Sequence, residues 1–352
     1  MPSIVDRPLT ILLGVAFGLL ASHSCAQQGE NFSISADSLE FYLVQAFQAS
    51  TASERMALNH IGIEVEHTEE GFLITAALEG YPAHQAGLER GDTILRVDGQ
   101  PFHPIHSLNN TVSDSGGFSS ATAPRQLEYE RMGDVSTVEI AAVFENLYDS
   151  YRTATLNSVQ EFALGNKTIG YIRLWGLSRS TAELFTLEAL LADFSDSDGL
   201  IVDLRNSYGY LSSKHLDLFS RDGRGYFDAS DASNRHAAIS PVFPTGSAHP
   251  FTKPIVVLIN SETRGGAELL AYGLSKVGRI TTLGARSRGR IGSYSLQGAS
   301  LNYAPADETL IDGQRFEAVG VAPKESIPFP FDQAGRSDPQ FEASVDILLG
   351  TI

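Results

Sequence analysis

Apolar positions Leu39, Tyr42, Leu43, Ala46 and Phe47 recur every three or four residues, which predicts a short amphipathic helix. From His60 the period shortens to two. Ile61–Val65, Phe72–Thr75 and Thr93–Val97 read as half-buried strands, the last turned by Asp98-Gly99. Ser115–Arg125, rich in Gly, Ser and Ala, reads as a surface loop, and Thr137–Val143 as a closing strand. Beyond it, Val159–Leu164 and Thr168–Leu174 predict a hairpin joined at Gly165-Asn166. Ser180 and Glu183 have the form of a capping box ahead of a helix whose apolar face carries Leu184, Leu187, Leu191 and Phe194. Gly199–Leu204 and Pro254–Ile259 are unbroken apolar runs, as expected of strands covered on both faces. Ser220–Lys253 is mostly polar with several Gly and Pro, hence a lid or a loose loop. Asp338-Pro339 offers an N-cap and a first-turn proline to a last helix carrying Phe341, Val345, Leu348 and Leu349. Helices alternating with buried strands imply a layered α/β second domain.

Composition adds limits. The 352 residues, 42% hydrophobic and 19% charged, suit two globular domains. A net charge of −17 argues against nucleic acid and anionic membrane surfaces as partners. Arg7, the apolar run Leu9–Leu20 and Ser24-Cys25-Ala26 read as a secretory signal cleaved after Ala26, which places the protein outside the cytoplasm, periplasmic or extracellular. Lipidation of Cys25, the sole cysteine, is the alternative, and no other run is long enough to span a membrane. The expected divisions are 1–26 signal, 27–57 helical segment, 58–146 first domain and 147–352 second domain. No metal or nucleotide motif appears, so no cofactor is expected.

Two sets of motifs carry a resemblance. Pro82–Gly99, reading PAHQAGLERGDTILRVDG, is similar to the core of the PDZ domains carried by bacterial proteases. In the second domain, Ile169–Leu174, Gly199–Asn206, Pro254–Asn260, Asp312-Gly313, Glu317–Pro323 and Asp338–Ala343 resemble, in order, the blocks of the C-terminal processing (tail-specific) serine peptidases. The resemblance spans residues 60–350 apart from the Ser220–Lys253 insert. It implies an α+β PDZ domain followed by an α/β peptidase-like domain. Ile61-Gly62-Ile63 then falls at the PDZ carboxylate loop, whose amides would hold a peptide C-terminus while the peptide adds a strand; a glycine-kinked strand is the plainer reading.

The same resemblance implies a serine three residues ahead of Glu268, and that position is Gly265. The lysine that would activate it falls at Arg290, which stays protonated and cannot serve as a base. The glutamine that would orient the lysine falls at Tyr294, and the oxyanion-forming Gly-Gly reads Gly209-Tyr210. A degenerate peptidase that binds polypeptide C-termini or unfolded segments is the expectation. The rival is a peptidase with a relocated nucleophile, Ser261 or Thr263 first. Ser207, Ser212, Ser293 and Ser295 read as turn or cap hydroxyls, and His215 and His236 as surface histidines. One further expectation concerns Gly265 and Gly266, whose amides at a helix start would bind a carboxylate together with Arg290, amid Arg264, Arg286 and Arg288. Pairing of Arg290 with Glu268 is the alternative.

Overall fold

The computed structural model describes residues 30–109, 117–220, 237–238, 250–306, 316–335 and 337–352; the expected signal segment, His236 and most of the Ser220–Lys253 insert lie outside them. The chain enters through β1 (Phe32–Ser35) and α1 (Leu39–Gln48). Ser38 caps that helix by accepting from Glu40 N at 3.1 Å. α1 buries Phe41, Tyr42, Leu43, Val44 and Ala46, a broader face than the periodicity suggested.

The first domain contains β2 (Leu58–His60), β3 (Ile63–His67), β4 (Phe72–Ala77), the one-turn α2 (Pro82–Gln85), β5 (Thr93–Val97), β6 (Gln100–Pro101), β7 (Arg125–Arg131), β8 (Asp134–Ile140) and β9 (Val143–Glu145). Its antiparallel sheet runs β3-β4-β5-β7-β8, with β6 on β5, and β2 pairs with β9. Ile74, Leu88, Ile94, Val97 and Leu127 fill the core beneath it. The single closing strand expected over Thr137–Val143 is two strands, broken after Ile140. β7 escapes the alternation because Leu127 and Tyr129 are its only apolar positions.

The second domain opens with α3 (Leu147–Asn157), which the sequence reading lacked, capped by Asn146 accepting from Asp149 N. Then follow β10 (Gln160–Leu164), β11 (Lys167–Arg173), β12 (Gly176–Leu177), α4 (Thr181–Asp193), β13 (Gly199–Asp203), β14 (Tyr208–Gly209), β15 (Leu211–Ser212), α5 (Ser213–Asp217), β16 (Ala237–Ala238), β17 (Ile255–Ile259), α6 (Gly266–Ser275), β18 (Ile280–Gly284), β19 (Ser293–Gln297), β20 (Ser300–Ala304), β21 (Glu325–Ser326) and α7 (Pro339–Leu349). The main sheet runs β10-β11-β13-β17-β18-β21, parallel except for the β10–β11 hairpin. Both faces are covered, as the unbroken apolar runs require. Leu200, Val202, Ile255 and Val257 pack with α4 and α6 on one side; Ile201, Val256 and Leu258 pack with Leu348 of α7 on the other.

Two details differ from expectation. Ser180 makes no side-chain cap bond, its own amide donates to Ser178 Oγ at 3.1 Å, and Glu183 pairs with Arg152 at 2.8 Å. Leu349 lies past the apolar face of α7 and is exposed. A further core cluster joins α1 to α3 and, through Trp175, Tyr208, Tyr294 and Tyr303, to the second domain. Within it β1 extends the β19–β20 hairpin, so the N-terminal segment is stitched onto the second domain.

Candidate functional site

Three loops leave the C-terminal ends of the neighbouring parallel strands β13, β17 and β18, the usual place for a site in an open α/β sheet. They are tied together through backbone. Gly265 N donates to Arg290 O at 2.9 Å, Arg264 N to Ser207 O at 3.0 Å and Arg288 N to Thr263 O at 3.0 Å. Gly266 abuts the Gly209–Leu211 segment so closely that a β-carbon there would lie 2.4 Å from Leu211 N. Thus Gly265, Gly266, Arg290, Gly209 and Tyr210 come together. Gly266→Ala is expected to destabilise the fold by about 1–3 kcal/mol, since the obstruction is backbone on a packed segment; a denaturant melt checks this.

Gly265 caps α6 with φ 64° and ψ −132°, a strained conformation for residues other than glycine. Gly209 has φ 128°, and the Tyr210 amide that follows donates to Leu177 O at 2.8 Å, so it is already spent. The amide of Gly265 is spent as well, which corrects the expectation that it binds a carboxylate. Tyr294, on β19, is buried against Tyr303 with ring centroids 4.9 Å apart. Phe47 of α1 packs on Tyr208 at 5.4 Å, and Gln48 Nε2 donates to Tyr294 O at 3.0 Å.

Arg290 pairs neither with Glu268 nor with open solvent. Its Nη1 donates to Glu40 Oε1 of α1 at 2.9 Å, with the guanidinium 4.4 Å from the Phe32 ring centre. Glu268 takes the backbone amides of Gly289 and Arg290 instead. Burial pushes the Glu268 carboxyl up to about 7, against hydrogen bonds from Ser287, Gly289 and Arg290 that lower it. A carboxyl raised in the folded state binds more protons there than when unfolded. Its stabilising contribution is complete below about 4.5 and is lost as pH rises through about 7. Glu268→Gln is expected to remove that downward component from stability between these limits, read from denaturant melts across pH.

Arg264 is 5% exposed. Its Nε lies 3.5 Å from Glu40 Oε1 and its Nη2 3.6 Å from Glu64 Oε1. Glu64 is also held by the Tyr151 hydroxyl and by Asn206 Nδ2 at 2.8 Å. Arg288 pairs with Glu262, and Arg286 is exposed, donating to Val319 O at 3.3 Å. Sequence reasoning missed Glu40 and Glu64, because nothing in their local pattern marks which arginines they meet.

Two of the hydroxyls, those of Thr263 and Ser207, are used inside the fold. Thr263 Oγ1 donates to Leu204 O at 2.8 Å and accepts from Asn260 N at 3.0 Å. Ser207 Oγ donates to Leu174 O, Ser212 is the N-cap of α5, and Ser293 and Ser295 sit on β19. Ser261 is exposed on its turn. His215 is not a surface residue. It is buried, its Nδ1 accepts from Ser212 N at 2.9 Å, and burial pushes it down to about 4, leaving it neutral near pH 7. Among the described residues no group of side chains could hold a metal ion, and no helix is long and apolar enough to cross a membrane.

In the first domain β3 is an edge strand, and a cleft of about 350 Å³ runs beside it, lined by Glu64, Glu66, Glu40, Arg264 and Glu262. Ile61-Gly62-Ile63 leads into that strand. Gly62, at φ 76°, has Tyr81 directly over it, and its amide donates to His60 Nδ1 at 3.1 Å. Burial pushes His60 down to about 4, so the imidazole is neutral. Its Nε2 faces Ser150 Oγ at 3.1 Å. One amide of the expected carboxylate loop is therefore occupied from within.

Comparison with known proteins bears on this geometry. Residues 168–327 match peptidase family S41, and residues 73–113 match a PDZ domain. The chain thus carries a peptidase S41 region preceded by a PDZ domain, the arrangement of the C-terminal processing peptidases to which it is similar. It is 26% identical over 318 residues to a carboxyl-terminal-processing protease of Synechocystis, covering 87% of this chain and 71% of that protein. It is 22% identical over 283 residues to the carboxy-terminal processing protease CtpA of Bacillus subtilis, covering 77% of this chain and 56% of that one. A putative S41 protease from Bacteroides fragilis has a similar fold, with TM-score 0.50 at 16% identity and 84% of each chain covered. In this S41 domain the three converging loops fall within the matched region.

Proposed function

We propose that the protein is an exported, non-catalytic member of the S41 family that binds polypeptide C-termini or unfolded segments along β3. One observation carries the reading: Gly265 and Arg290, joined by a backbone hydrogen bond, stand where the family resemblance puts nucleophile and base. Glycine offers no nucleophile, and a guanidinium paired with Glu40 takes no proton. The spent Tyr210 amide argues the same way, since oxyanion stabilisation needs a free donor. Thr263, with its hydroxyl used twice inside the fold, and Ser261, exposed on a turn, do not favour a relocated nucleophile. Export rests on the Arg7, Leu9–Leu20 and Ser24-Cys25-Ala26 pattern.

The edge position of β3 supports binding by strand addition. Hydrogen-exchange mass spectrometry on the full chain, with and without a reduced, alkylated unfolded polypeptide, tests this. Slower exchange over residues 63–67 is expected. Unchanged exchange there at saturating polypeptide would contradict it.

A further inference from the structure

We infer that Arg264 and Arg290 form a carboxylate-binding pair for the C-terminus of a bound polypeptide, occupied in the resting chain by Glu40. The inference rests on the peptide-binding reading and names the contact that reading lacks, since the loop at Gly62 is partly filled by His60.

The charges around the site form a balanced set. Arg264, Arg288 and Arg290 face Glu40, Glu64 and Glu262. Two of the carboxylates belong to the domains themselves and are fixed. Glu262 pairs with Arg288, and Glu64 is clamped by Tyr151 and Asn206. The third, Glu40, comes from the N-terminal helix and bridges the two arginines unequally. It meets Arg290 at 2.9 Å but Arg264 Nε at 3.5 Å, and that nitrogen is buried without a hydrogen bond. A buried guanidinium nitrogen left without an acceptor marks a position that a better-placed carboxylate oxygen would fill.

Access follows from the same cleft. Glu40 and Arg264 both line the cavity beside β3, so a polypeptide added along that edge shares one space with them, and Arg290 stands behind Glu40, bonded to the same carboxylate oxygen. Exchanging the Glu40 carboxylate for an incoming one keeps the charge balance, and no arginine is left buried and unpaired. The helix need not leave. Phe41, Tyr42, Leu43, Val44 and Ala46 hold it in the core, while the Glu40 side chain is 26% exposed.

Calorimetry on the full chain tests this with one unstructured twelve-residue peptide ending in Ala-Ala, as the free acid and as the amide. The expected result is tighter binding of the free acid, by about fivefold in the wild type. Glu40→Gln should raise free-acid affinity a further fivefold or more and leave amide affinity unchanged, because a neutral amide competes poorly for paired guanidiniums. Arg290→Gln should erase the preference. Should Glu40→Gln fold poorly in a thermal melt, Glu40→Asp, which retracts the carboxylate, serves the same comparison. Equal binding of acid and amide in every variant, with slowed exchange over 63–67, would overturn the inference and leave the peptide-binding reading standing. Binding of neither peptide, with exchange unaltered, would overturn both.

Discussion

The double variant Gly265→Ser with Arg290→Lys is expected to leave proteolysis at the no-enzyme background. A lysine base needs its charged form disfavoured, and position 290 offers the opposite environment. Glu40 lies 2.9 Å from the present guanidinium and would hold a lysine there protonated. The serine would have to adopt φ 64° and ψ −132°, at a cost of roughly 1–3 kcal/mol. The Tyr210 amide would still be committed to Leu177 O, and loss of one oxyanion donor lowers rate by about 10²–10³. Tyr294, where the resemblance implies the orienting amide, is packed against Tyr303. Turnover of an unfolded substrate by the purified double variant is the measurement. Robust cleavage would mean that Tyr210 and Tyr294 leave a working site intact.

Arg205→Met is expected to destabilise the protein by about 3–5 kcal/mol, the range for leaving a buried charge without its partner. Asp203 is fully buried at the end of β13. Arg205 Nη2 reaches it at 2.6 Å, Arg205 Nε at 3.0 Å, and Arg205 also pairs with Asp338 at 2.8 Å, tying the strand to the start of α7. Burial alone would raise the Asp203 carboxyl; the charges of Arg205 and Arg173 outweigh it and hold the group below its ordinary value. That contribution is present above about 3.8 and is lost as pH falls through the lowered folded value. The penalty in Arg205→Met should therefore shrink in acid, where Asp203 is protonated in both states. Adding Asp203→Asn should recover part of the loss near pH 7. Denaturant melts of the single and double variants, near neutrality and in acid, check both statements.

The layered architecture was legible because burial on two faces writes itself as unbroken apolar runs. Gly199–Leu204 and Pro254–Ile259 became β13 and β17 at the centre of the sheet. The Asp338-Pro339 start of α7 was equally plain, since Asp338 accepts from Gln340 N and Phe341 N, both at 3.0 Å. β7 and α3 were not legible. The first has a mostly charged surface, and the second buries Tyr148, Ser150 and Tyr151, a mixed face without a simple apolar period.

At the candidate site, the meeting of Gly265 with Arg290 followed from the family resemblance, which implies that both positions share one site. The partner of Arg290 did not, because Glu40 is 250 residues away and reaches it only after β1 joins β20 and α1 lies across the seam. Pairing with Glu268 was a reasonable local guess. It fails because that carboxylate turns to the Gly289 and Arg290 amides instead.

The reading of the S41 domain as a binding scaffold without peptide-bond chemistry is tested most directly by incubating the purified full chain with a reduced, alkylated polypeptide. New termini are then sought by mass spectrometry, with a fluorophosphonate probe run in parallel. No new termini and no labelled serine or threonine are predicted at any incubation time. Reproducible cleavage, abolished by Ser261→Ala or Thr263→Ala, would contradict it.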